Sequence, residues 1–560
     1  MFYEMVPKVN NMFPVICCIL LSYVLFARAE LFTAISEMEP LLETHKRIID
    51  DLDDYVDKEE KRLIILKKHL MVYKREHDMA MKDIPNYLGN PINAFTLIKR
   101  LTTDLDDIEH SIKIGTEYIK NVTINYDDVK YPSQEDLSGA AQALIRLQDT
   151  YRLDVRELSE GLLNGVIYST PMTASDCYEL GRSLYNDKDY KNALTWMMET
   201  LRKYKEENEP YLFDEVDILE YISFSHYMIG DVKTALDWTK KLLKLDPNHT
   251  RASGNIPHYM KDIEEEDVKQ KRRRRGDIGE DTKEKNSEYM AELTEYQKDR
   301  MNYESLCRGD MYLPSYFTKD LHCRYLTENH PFLKLARVKM EIIYLNPDVV
   351  VFHEVMSDDE IEYIKSLAKP RFKRAVVHDP RTGELVPANY RISKSGWLRD
   401  EESDVVSKIS QRVADITGLS MDTAEELQVV NYGIGGHYEP HFDFARKQEN
   451  AFRKFSGNRI ATVLFYMSEV AQGGATVFTR LGLSVFPIKG AALFWMNLHP
   501  SGEGDLSTRH AACPVLRGSK WVSNKWIHQG GQELLKPCSL EYQDESYMRK
   551  IPKPIPKTSR

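Results

Sequence analysis

The first long pattern along the chain is a series of apolar residues spaced by alternating steps of three and four. Its members are Ile35, Met38, Leu42, Ile49, Leu52, Val56, Leu63, Leu66 and Leu70, with His45 and Glu59 in the gaps. Such a heptad seam predicts a helix that packs against another helix of its own domain or against a second copy of the chain. We expect residues 30–165 to form a helical N-terminal dimerisation domain.

A helix-pair repeat follows, for which we predict a tetratricopeptide-like domain at residues 166–260. NALTW at 192–196 recurs 42 residues later as TALDW at 234–238, and each alanine predicts a close contact between two helices. The aromatic residues with suitable spacing for its concave face are Tyr178, Tyr185, Tyr221, Phe224 and Tyr227. They predict a stacking groove for an extended proline-rich peptide, and the alternative is that about half of them are ordinary core.

The pattern changes twice more towards the C-terminus. Residues 261–300 are charged and poor in apolar residues, which predicts a flexible linker, and residues 301–346 form a connector. From 347 to 545, short β-branched and aromatic runs alternate with glycine-bearing turns, so we predict a double-stranded β-helix, or jelly roll, with helices laid against it. The fold class is therefore multidomain α+β, and residues 546–560 are a tail.

The N-terminus places the protein in the secretory pathway. Residues 1–29 contain a mostly apolar run of about 14 residues, from Phe13 to Phe26, and end in Ala27-Arg28-Ala29. This pattern predicts a signal peptide, since the run is too short to span a bilayer. Asn121 and Asn248 then become candidate glycosylation sites. The net charge of -11 argues against a nucleic-acid partner, and acidic runs flank the basic residues 271–275, which are most simply a solvated part of the linker.

Five cysteines remain after the signal peptide, so at least one thiol is free. In an oxidising compartment the simplest pairing joins Cys307 to Cys323 and Cys513 to Cys538, which closes two short loops. Spacing alone does not determine connectivity, and the other pairings stay open.

The candidate chemistry begins with His441 and Asp443, which would face the same side of a strand. On its own, such a pair usually lies on the solvent-exposed face of a strand. His510 stands 67 residues after Asp443, and a jelly roll can bring it to the same point. Two histidines and one carboxylate leave three metal positions open, as a non-haem Fe(II) oxygenase requires to hold an oxo-acid and dioxygen, whereas zinc prefers a closed tetrahedron or one water.

Lys520 lies ten residues after His510, in a segment whose alternation points it into an apolar barrel. A buried ammonium needs an anion, and a bound dicarboxylate would supply it. The ordinary alternative is an exposed lysine, as we expect for Lys525.

Four motifs resemble the catalytic domain of the collagen prolyl 4-hydroxylase alpha subunits, members of the 2-oxoglutarate/Fe(II)-dependent dioxygenase family. They are QVVNYGIGGHYEPHFD at 428–443, GGATVF at 473–478, SGEGDLSTRHAACPV at 501–515 and KWVSNKWIH at 520–528. The order of signal peptide, helical region, tetratricopeptide region and jelly roll matches that family along the whole chain, although the N-terminal third matches in architecture alone.

The resemblance implies a role for each matched position. It implies Fe(II) bound by His441, Asp443 and His510, and the distal carboxylate of 2-oxoglutarate bound by Lys520. His528 matches a histidine that assists co-substrate binding and decarboxylation, and Tyr432 and Tyr466 match positions that line the co-substrate pocket, although either could be a core tyrosine. The two disulfides proposed above also match the family, which would leave Cys177 free.

The resemblance also implies the reaction and the partners. The expected activity is that of a procollagen-proline 4-dioxygenase, which hydroxylates proline of X-Pro-Gly triplets at C4 and yields succinate and carbon dioxide from 2-oxoglutarate and O2, with L-ascorbate restoring oxidised iron. The expected partners are procollagen and protein disulfide isomerase as beta subunit of an α2β2 tetramer in the endoplasmic reticulum lumen. Such a subunit would also explain retention of a chain whose C-terminus, KTSR, carries no KDEL-type signal.

Two alternatives remain at this stage. One is a related dioxygenase that acts on lysine or on a non-collagen proline, and the lysyl enzymes place arginine at the position of Lys520, which disfavours them. The other is a non-catalytic collagen-binding scaffold with a decayed barrel, which the presence of all three metal ligands and Lys520 disfavours.

Overall fold

The computed structural model describes residues 35–115, 134–207, 209–274, 295–378, 385–387, 390–446, 452, 456–541 and 555–556. The predicted signal peptide and the Asn121 sequon lie outside these residues. Contacts divide the described chain into two compact units, one holding residues 35–72 with 111–115, and the other holding the rest. None of the described helices has the length and apolar character needed to cross a bilayer.

The N-terminal region is helical, as predicted. Its helices are α1 Ile35–Ala80, α2 Ile84–Leu88, α3 Pro91–Arg100, α4 Thr103–Gly115, α5 Gln134–Tyr151 and α6 Val155–Ser159. Three described members of the seam are about half exposed, with exposed fractions of 51% for Val56, 47% for Leu63 and 54% for Leu70. A second copy of the chain would cover such residues, and dimerisation stays a prediction.

Two helix pairs form the repeat region: α7 Ala174–Asn186, α8 Tyr190–Glu207, α9 Glu215–Met228 and α10 Val232–Leu245. Ala193 and Ala235, the repeated alanines, are completely buried. Gly181 on α7 faces Met197 on α8 so closely that a Cβ atom there would lie 3.0 Å from the methionine side chain. The sequence repeat is therefore a repeat of close helix contacts, and the tetratricopeptide-like prediction is confirmed.

The predicted flexible linker is wrong for its first part. α11 spans Thr250–Arg274 and continues through residues 261–274. Lysine, arginine and glutamate are good helix formers, and charged residues four apart support one another, as Lys261 and Glu265 do at 3.9 Å. A polar, charged composition therefore does not imply a lack of secondary structure in these residues. Residues 275–294 lie outside the described residues, and α12 begins at Glu295 and ends at Cys307.

The C-terminal region is a jelly roll, as predicted. Its helices are α13 Ser315–Thr318, α14 Asp358–Ala368 and α15 Asp404–Thr417. Its main strands are β4 Cys323–Leu326, β5 Val338–Tyr344, β6 Val349–His353, β11 Lys394–Leu398, β12 Leu427–Tyr432, β13 His437–His441, β14 Arg459–Tyr466, β16 Thr476–Phe478, β17 Leu483–Val485, β18 Ala492–Met496, β19 His510–Ala512 and β21 Lys520–His528. The short strands are β1 Leu162–Leu163, β2 Val166–Ile167, β3 Met311–Tyr312, β7 Lys373–Arg374, β8 Val376–His378, β9 Leu385–Pro387, β10 Arg391–Ile392, β15 Gln472–Gly473, β20 Val515–Arg517 and β22 Ile555–Pro556.

Two sheets enclose the interior of the jelly roll. The larger has the order β4-β5-β6-β18-β14-β21-β12-β11-β7, and the smaller has the order β10-β13-β19-β16-β17. Val351 of the larger sheet and Phe478 of the smaller share one core cluster between the sheets, whereas Val350 packs with α14 and α15 on the opposite face. The central strands of the larger sheet, such as β6, β12 and β14, are therefore buried on both faces, because successive side chains of each strand enter different cores.

The predicted disulfide pairing is wrong. Cys307, at the end of α12, is bonded to Cys513, which directly follows β19, and their Cα atoms lie 5.5 Å apart. The two share a small core with Tyr303, Ala475 and Ala511, and this packing brings together cysteines 206 residues apart. Cys323 and Cys538 are exposed and unpaired, and Cys177 is buried and unpaired, as expected.

Candidate active site

Two neighbouring strands of the smaller sheet bring the predicted metal ligands together. β13 pairs with β19 in a register that sets His441 directly opposite His510. Asp443 lies just beyond the end of β13, in a bend, so the alternation of a strand is not what aligns it with His441. Donor atoms of the three side chains all lie within 4.8 Å of one another, and the chain turns Asp443 back towards both imidazoles.

Backbone carbonyls orient both imidazoles. Nδ1 of His441 lies 2.7 Å from the carbonyl oxygen of Glu439, and Nδ1 of His510 lies 3.0 Å from that of Thr508. An imidazole that donates its Nδ1–H to a carbonyl keeps a lone pair on Nε2. Each Nε2 faces the carboxylate, at 3.7 Å for His441 and 3.6 Å for His510. Tyr438 stacks on the ring of His441, with centroids 3.5 Å apart.

The electrostatics of the cluster favour a neutral His441 beside a charged Asp443. Burial and the neighbouring His510 hold the pKa of His441 well below its usual range. Burial by itself would raise the pKa of Asp443, but His510, His441 and Arg459 lower it to about 2. Two imidazole nitrogens and one carboxylate oxygen are a donor set suited to a divalent cation with open positions, so these residues fit Fe(II).

Lys520 lies inside the jelly roll, as predicted. It is the first residue of β21, pairs in register with Tyr432 of β12, and is almost completely buried. Burial lowers the pKa of its ammonium to about 7, and none of the described carboxylates lies within ion-pair distance of it. Its hydrogen-bond partner is the hydroxyl of Thr476 at 3.4 Å. The same hydroxyl accepts a hydrogen bond from the hydroxyl of Tyr466 at 2.9 Å.

Tyr432 and Tyr466 surround this lysine. Their ring centroids lie 5.5 Å and 5.8 Å from Nζ of Lys520, and both side chains are buried. The lysine, the two tyrosines and Thr476 form a buried cluster whose polar groups suit one end of a dicarboxylate. Their predicted roles in co-substrate binding are consistent with this placement and stay predictions.

His528 lies at the opposite end of β21 from Lys520, the other residue of this strand predicted to bind the co-substrate. It ends β21, eight residues after Lys520, which corresponds to about 26 Å along a strand. Its Nε2 lies 2.9 Å from Glu425, and its Nδ1 lies 2.8 Å from the carbonyl oxygen of Gly457. Glu425 also binds Arg459 at 2.8 Å, and Arg459 reaches the carbonyl oxygen of Asp443 at 3.4 Å. These contacts link His528 to the metal ligands through Glu425 and Arg459, and its role in co-substrate binding stays a prediction.

A cavity of about 620 Å³ opens beside the metal ligands. Its wall includes His441 and Asp443, and much of the rest is aromatic. The aromatic wall residues are Tyr390, Trp397, Tyr438, Phe442, Phe444, Phe452 and Trp526. Lys520 does not line this cavity.

The predicted groove aromatics form one connected row. Tyr178 meets Tyr221 edge to face at 5.8 Å, Tyr221 meets Tyr185 at 4.8 Å, and Tyr185 meets Phe224 at 5.9 Å. Phe224 continues to Tyr227 at 6.0 Å. All five rings are partly exposed, in agreement with a surface row.

Sequence reasoning missed both ends of this row. Phe213 stacks on Tyr178 with centroids 4.0 Å apart, and Tyr259 packs on Tyr227 at 4.6 Å. Phe213 precedes α9 and Tyr259 lies on α11, outside the repeated units, so the helix pattern did not indicate them.

Three family models match this chain. The model of the prolyl 4-hydroxylase alpha-subunit N-terminal region matches residues 34–165, that of the prolyl 4-hydroxylase peptide-substrate-binding domain matches 174–265, and that of the 2OG-Fe(II) oxygenase superfamily matches 427–528. A prolyl 4-hydroxylase subunit alpha-2 of Caenorhabditis elegans is 48% identical over 92% of this chain and 94% of its own. The chain belongs to the prolyl 4-hydroxylase alpha-subunit family.

Relatives in other animals agree. The prolyl 4-hydroxylase subunit alpha-1 of Homo sapiens is 47% identical over 91% of this chain and 95% of its own. A solved structure of a viral collagen prolyl hydroxylase from Paramecium Bursaria Chlorella virus-1 is 23% identical over 32% of this chain and 94% of its own, with a TM-score of 0.26, too low to add to the assignment. As a member of the prolyl 4-hydroxylase family with a 2OG-Fe(II) oxygenase domain, the protein is a dioxygenase.

Other site residues that sequence reasoning missed are Thr476 beside Lys520, and Thr462 and Trp526 beside Asp443. One signal was present. The alternation that points Lys520 into the barrel also points Trp526, six residues later on the same strand, to the same side. No local pattern marks Thr462, which reaches Asp443 across sheets.

Proposed function

We propose that this protein hydroxylates C4 of peptidyl proline in collagen-like X-Pro-Gly triplets. One atom of O2 enters the hydroxyl group and the other enters succinate, while 2-oxoglutarate loses carbon dioxide, so that atoms and electrons balance. The observation that carries this proposal is the buried Lys520, which has no carboxylate partner in the described chain and shares the barrel interior with the His441–Asp443–His510 cluster. Such a lysine suits a ligand that brings its own negative charge.

The side chains divide the work. His441, Asp443 and His510 would hold Fe(II), which when bound supplies the redox chemistry that couples dioxygen to 2-oxoglutarate. The ammonium of Lys520 binds the distal carboxylate, and the hydroxyl of Thr476 orients that ammonium. These contacts fix the direction in which the keto-acid end of the co-substrate points.

The aromatic cavity serves the peptide. Proline is an apolar ring with no N–H to donate, and aromatic side chains such as Tyr438 and Trp526 pack on such a ring and exclude water from the cluster. The row from Tyr178 to Tyr227 presents further rings to an extended peptide in the polyproline II form. The match to the peptide-substrate-binding model at 174–265 supports this role.

Location and assembly belong to the same proposal. We infer that the protein acts in the endoplasmic reticulum lumen, with L-ascorbate as reductant and protein disulfide isomerase as the beta subunit of an α2β2 tetramer. The signal-like residues 1–29, the Cys307–Cys513 disulfide and the exposed sequon Asn248 support an oxidising compartment. The half-exposed seam on α1 supports an alpha-subunit dimer.

The test is direct. The full chain is co-expressed with protein disulfide isomerase, and succinate release is measured with a (Pro-Pro-Gly)n peptide, Fe(II), 2-oxoglutarate and ascorbate. We expect peptide-dependent turnover that His441→Ala abolishes while the peptide still binds. Binding of the peptide without turnover by the wild type would refute the proposal and favour the scaffold, and turnover with a non-collagen proline peptide alone would refute the collagen-like substrate.

A further inference from the structure

The two carboxylate oxygens of Asp443 have different surroundings. Oδ2 accepts a hydrogen bond from the hydroxyl of Thr462 at 2.8 Å and another from the indole Nε1–H of Trp526 at 2.9 Å. Each oxygen also lies near one imidazole, Oδ1 at 3.7 Å from Nε2 of His441 and Oδ2 at 3.6 Å from Nε2 of His510. The difference lies in the hydrogen bonds, because among the described residues Oδ1 accepts none. A carboxylate oxygen has two lone pairs, and two donors occupy both of them on Oδ2.

A third residue fixes the direction of the threonine hydroxyl. The side-chain amide of Asn497 donates to Oγ1 of Thr462 at 2.9 Å. A hydroxyl has a single hydrogen, and because the amide approaches as a donor, that hydrogen is left for Asp443. Thr462 lies on β14 and Asn497 directly follows β18, and both side chains are completely or almost completely buried. Water does not compete for these bonds, so the chain Asn497–Thr462–Asp443 has one orientation.

The consequence concerns how the carboxylate binds a metal. With both lone pairs of Oδ2 engaged, a cation between the imidazoles can take only Oδ1. One oxygen from Asp443 and one nitrogen from each histidine occupy three of six positions. A carboxylate that bound through both oxygens would occupy a fourth, and a keto acid with two donor atoms would then leave no position for dioxygen.

We propose that Thr462 and Trp526, aligned by Asn497, are positioning residues that hold the carboxylate of Asp443 with Oδ1 free for the metal, so that their loss weakens metal binding. This inference rests on the proposed function, because it presumes the divalent cation that the His441–Asp443–His510 cluster fits. It assigns the two residues to ligand geometry, whereas a purely structural role would affect stability alone. Outer hydrogen bonds of this kind typically change metal affinity by about 10- to 100-fold when removed.

The test measures metal binding without peptide, so that the place of Trp526 in the cavity wall does not enter. Thr462→Val removes the hydroxyl at nearly constant shape, Thr462→Ser keeps it, and Trp526→Phe removes the indole N–H but keeps a ring. Mn(II) binding is followed by electron paramagnetic resonance of the free ion in the assembled full-length protein, with and without 2-oxoglutarate. We expect the Kd for Mn(II) to rise about 10-fold or more in Thr462→Val and Trp526→Phe, and to return close to the wild-type value in Thr462→Ser.

Two variants serve as matched controls. Thr479 is a buried threonine whose hydroxyl has no partner among the described residues, and Trp521 lies on β21 five residues before Trp526, on the opposite face. Thr479→Val and Trp521→Phe should bind Mn(II) like the wild type. Should Thr462→Val fail to fold, as judged by circular dichroism, Trp526→Phe decides the question.

The outcomes separate the two proposals. Wild-type Kd values in both Thr462→Val and Trp526→Phe, together with an active wild type, would overturn the inference and leave the proposed function standing. A wild type that binds no Mn(II) would instead overturn the proposed function. Equal loss of affinity in Thr462→Val and Thr462→Ser would assign the effect to packing and also refute the inference.

Discussion

Lys520 and Lys525 stand on the same strand, are 1% and 3% exposed, and have opposite surroundings. Five residues apart, they point to opposite faces of β21. Lys525 lies 3.4 Å from Asp400, at the start of the segment that leads into α15. Lys520 has the hydroxyl of Thr476 and two tyrosine rings but no carboxylate in the described chain. A buried lysine that pairs with a carboxylate stabilises the fold, whereas a buried lysine without a carboxylate suits a ligand that brings the compensating negative charge.

Substitutions of the two lysines should differ most in their effect on the KM for 2-oxoglutarate. Lys520→Met should raise the KM for 2-oxoglutarate by about 100-fold or more, because a buried ion pair with the distal carboxylate is lost. Lys525→Met should change this KM by less than about threefold, since Lys525 faces the other core. Steady-state succinate assays at varied 2-oxoglutarate measure both, and similar KM values for the two variants would remove the distinction.

The second effect is a pH dependence that belongs to Lys520. Burial lowers the pKa of Lys520 from 10.5 to about 7. Between pH 7 and 10.5 the unfolded chain therefore binds more protons than the free enzyme, and the free enzyme gains stability as the pH rises through that window. Only the charged lysine attracts a dicarboxylate, so the Kd for 2-oxoglutarate should rise about tenfold per pH unit above 7.

Calorimetric titration in buffers of different ionisation enthalpy checks this, and should show proton uptake on binding. The matched control is Lys520→Arg, because a guanidinium stays charged and should give a flat Kd profile between pH 7 and 9. A wild-type profile as flat as that of Lys520→Arg would contradict the prediction.

The third effect is on stability and belongs to Lys525. Asp400→Asn leaves this buried ammonium without its anion, and should lower the free energy of unfolding by about 1–3 kcal/mol. Asp422→Asn is the control, since Asp422 is exposed. Chemical denaturation of the assembled protein compares them, and an equal change in both variants would show that the Lys525–Asp400 pair contributes nothing specific.

The smallest effect is expected for the neutral partner of Lys520. Thr476→Val removes one hydroxyl contact, worth about 1 kcal/mol, and should raise the KM for 2-oxoglutarate by roughly fivefold. Thr479→Val, three residues later, should leave KM unchanged. A larger effect than that of Lys520→Met would mean that the threonine, and not the ammonium, determines co-substrate binding.

The comparison of the two lysines also shows where sequence patterns suffice. Strand alternation predicted the interior position of Lys520, and the short β-branched and aromatic runs predicted strands such as β12 with helices such as α15 laid against them. The same alternation led to the expectation that Lys525 is exposed, which is wrong, because helices cover the second face of the larger sheet. Alternation tells which residues share a face and does not tell what covers that face.

Contacts between residues far apart in the sequence were not predicted, for a related reason. His441 and Asp443 were found because they are close in the chain, and His510 because the family motif marks it. Cys307 and Cys513 are joined only because α12 packs on β19, and Thr462 meets Asp443 only because two sheets face each other. Such pairings depend on the packing of whole elements, which short-range spacing does not contain.

The row of rings on the repeat helices changes the kinetics expected for a long substrate. If a repetitive peptide rests on Tyr185 and Phe224 as proposed, its neighbouring triplets stay tethered to the same molecule as the oxygenase domain. Tethering replaces encounters from bulk solution by an effective concentration, which reaches the millimolar range for short flexible connections. A substrate with many triplets would then undergo several turnovers before it dissociates. A peptide too short to contact both the aromatic row and the active site would dissociate after one turnover.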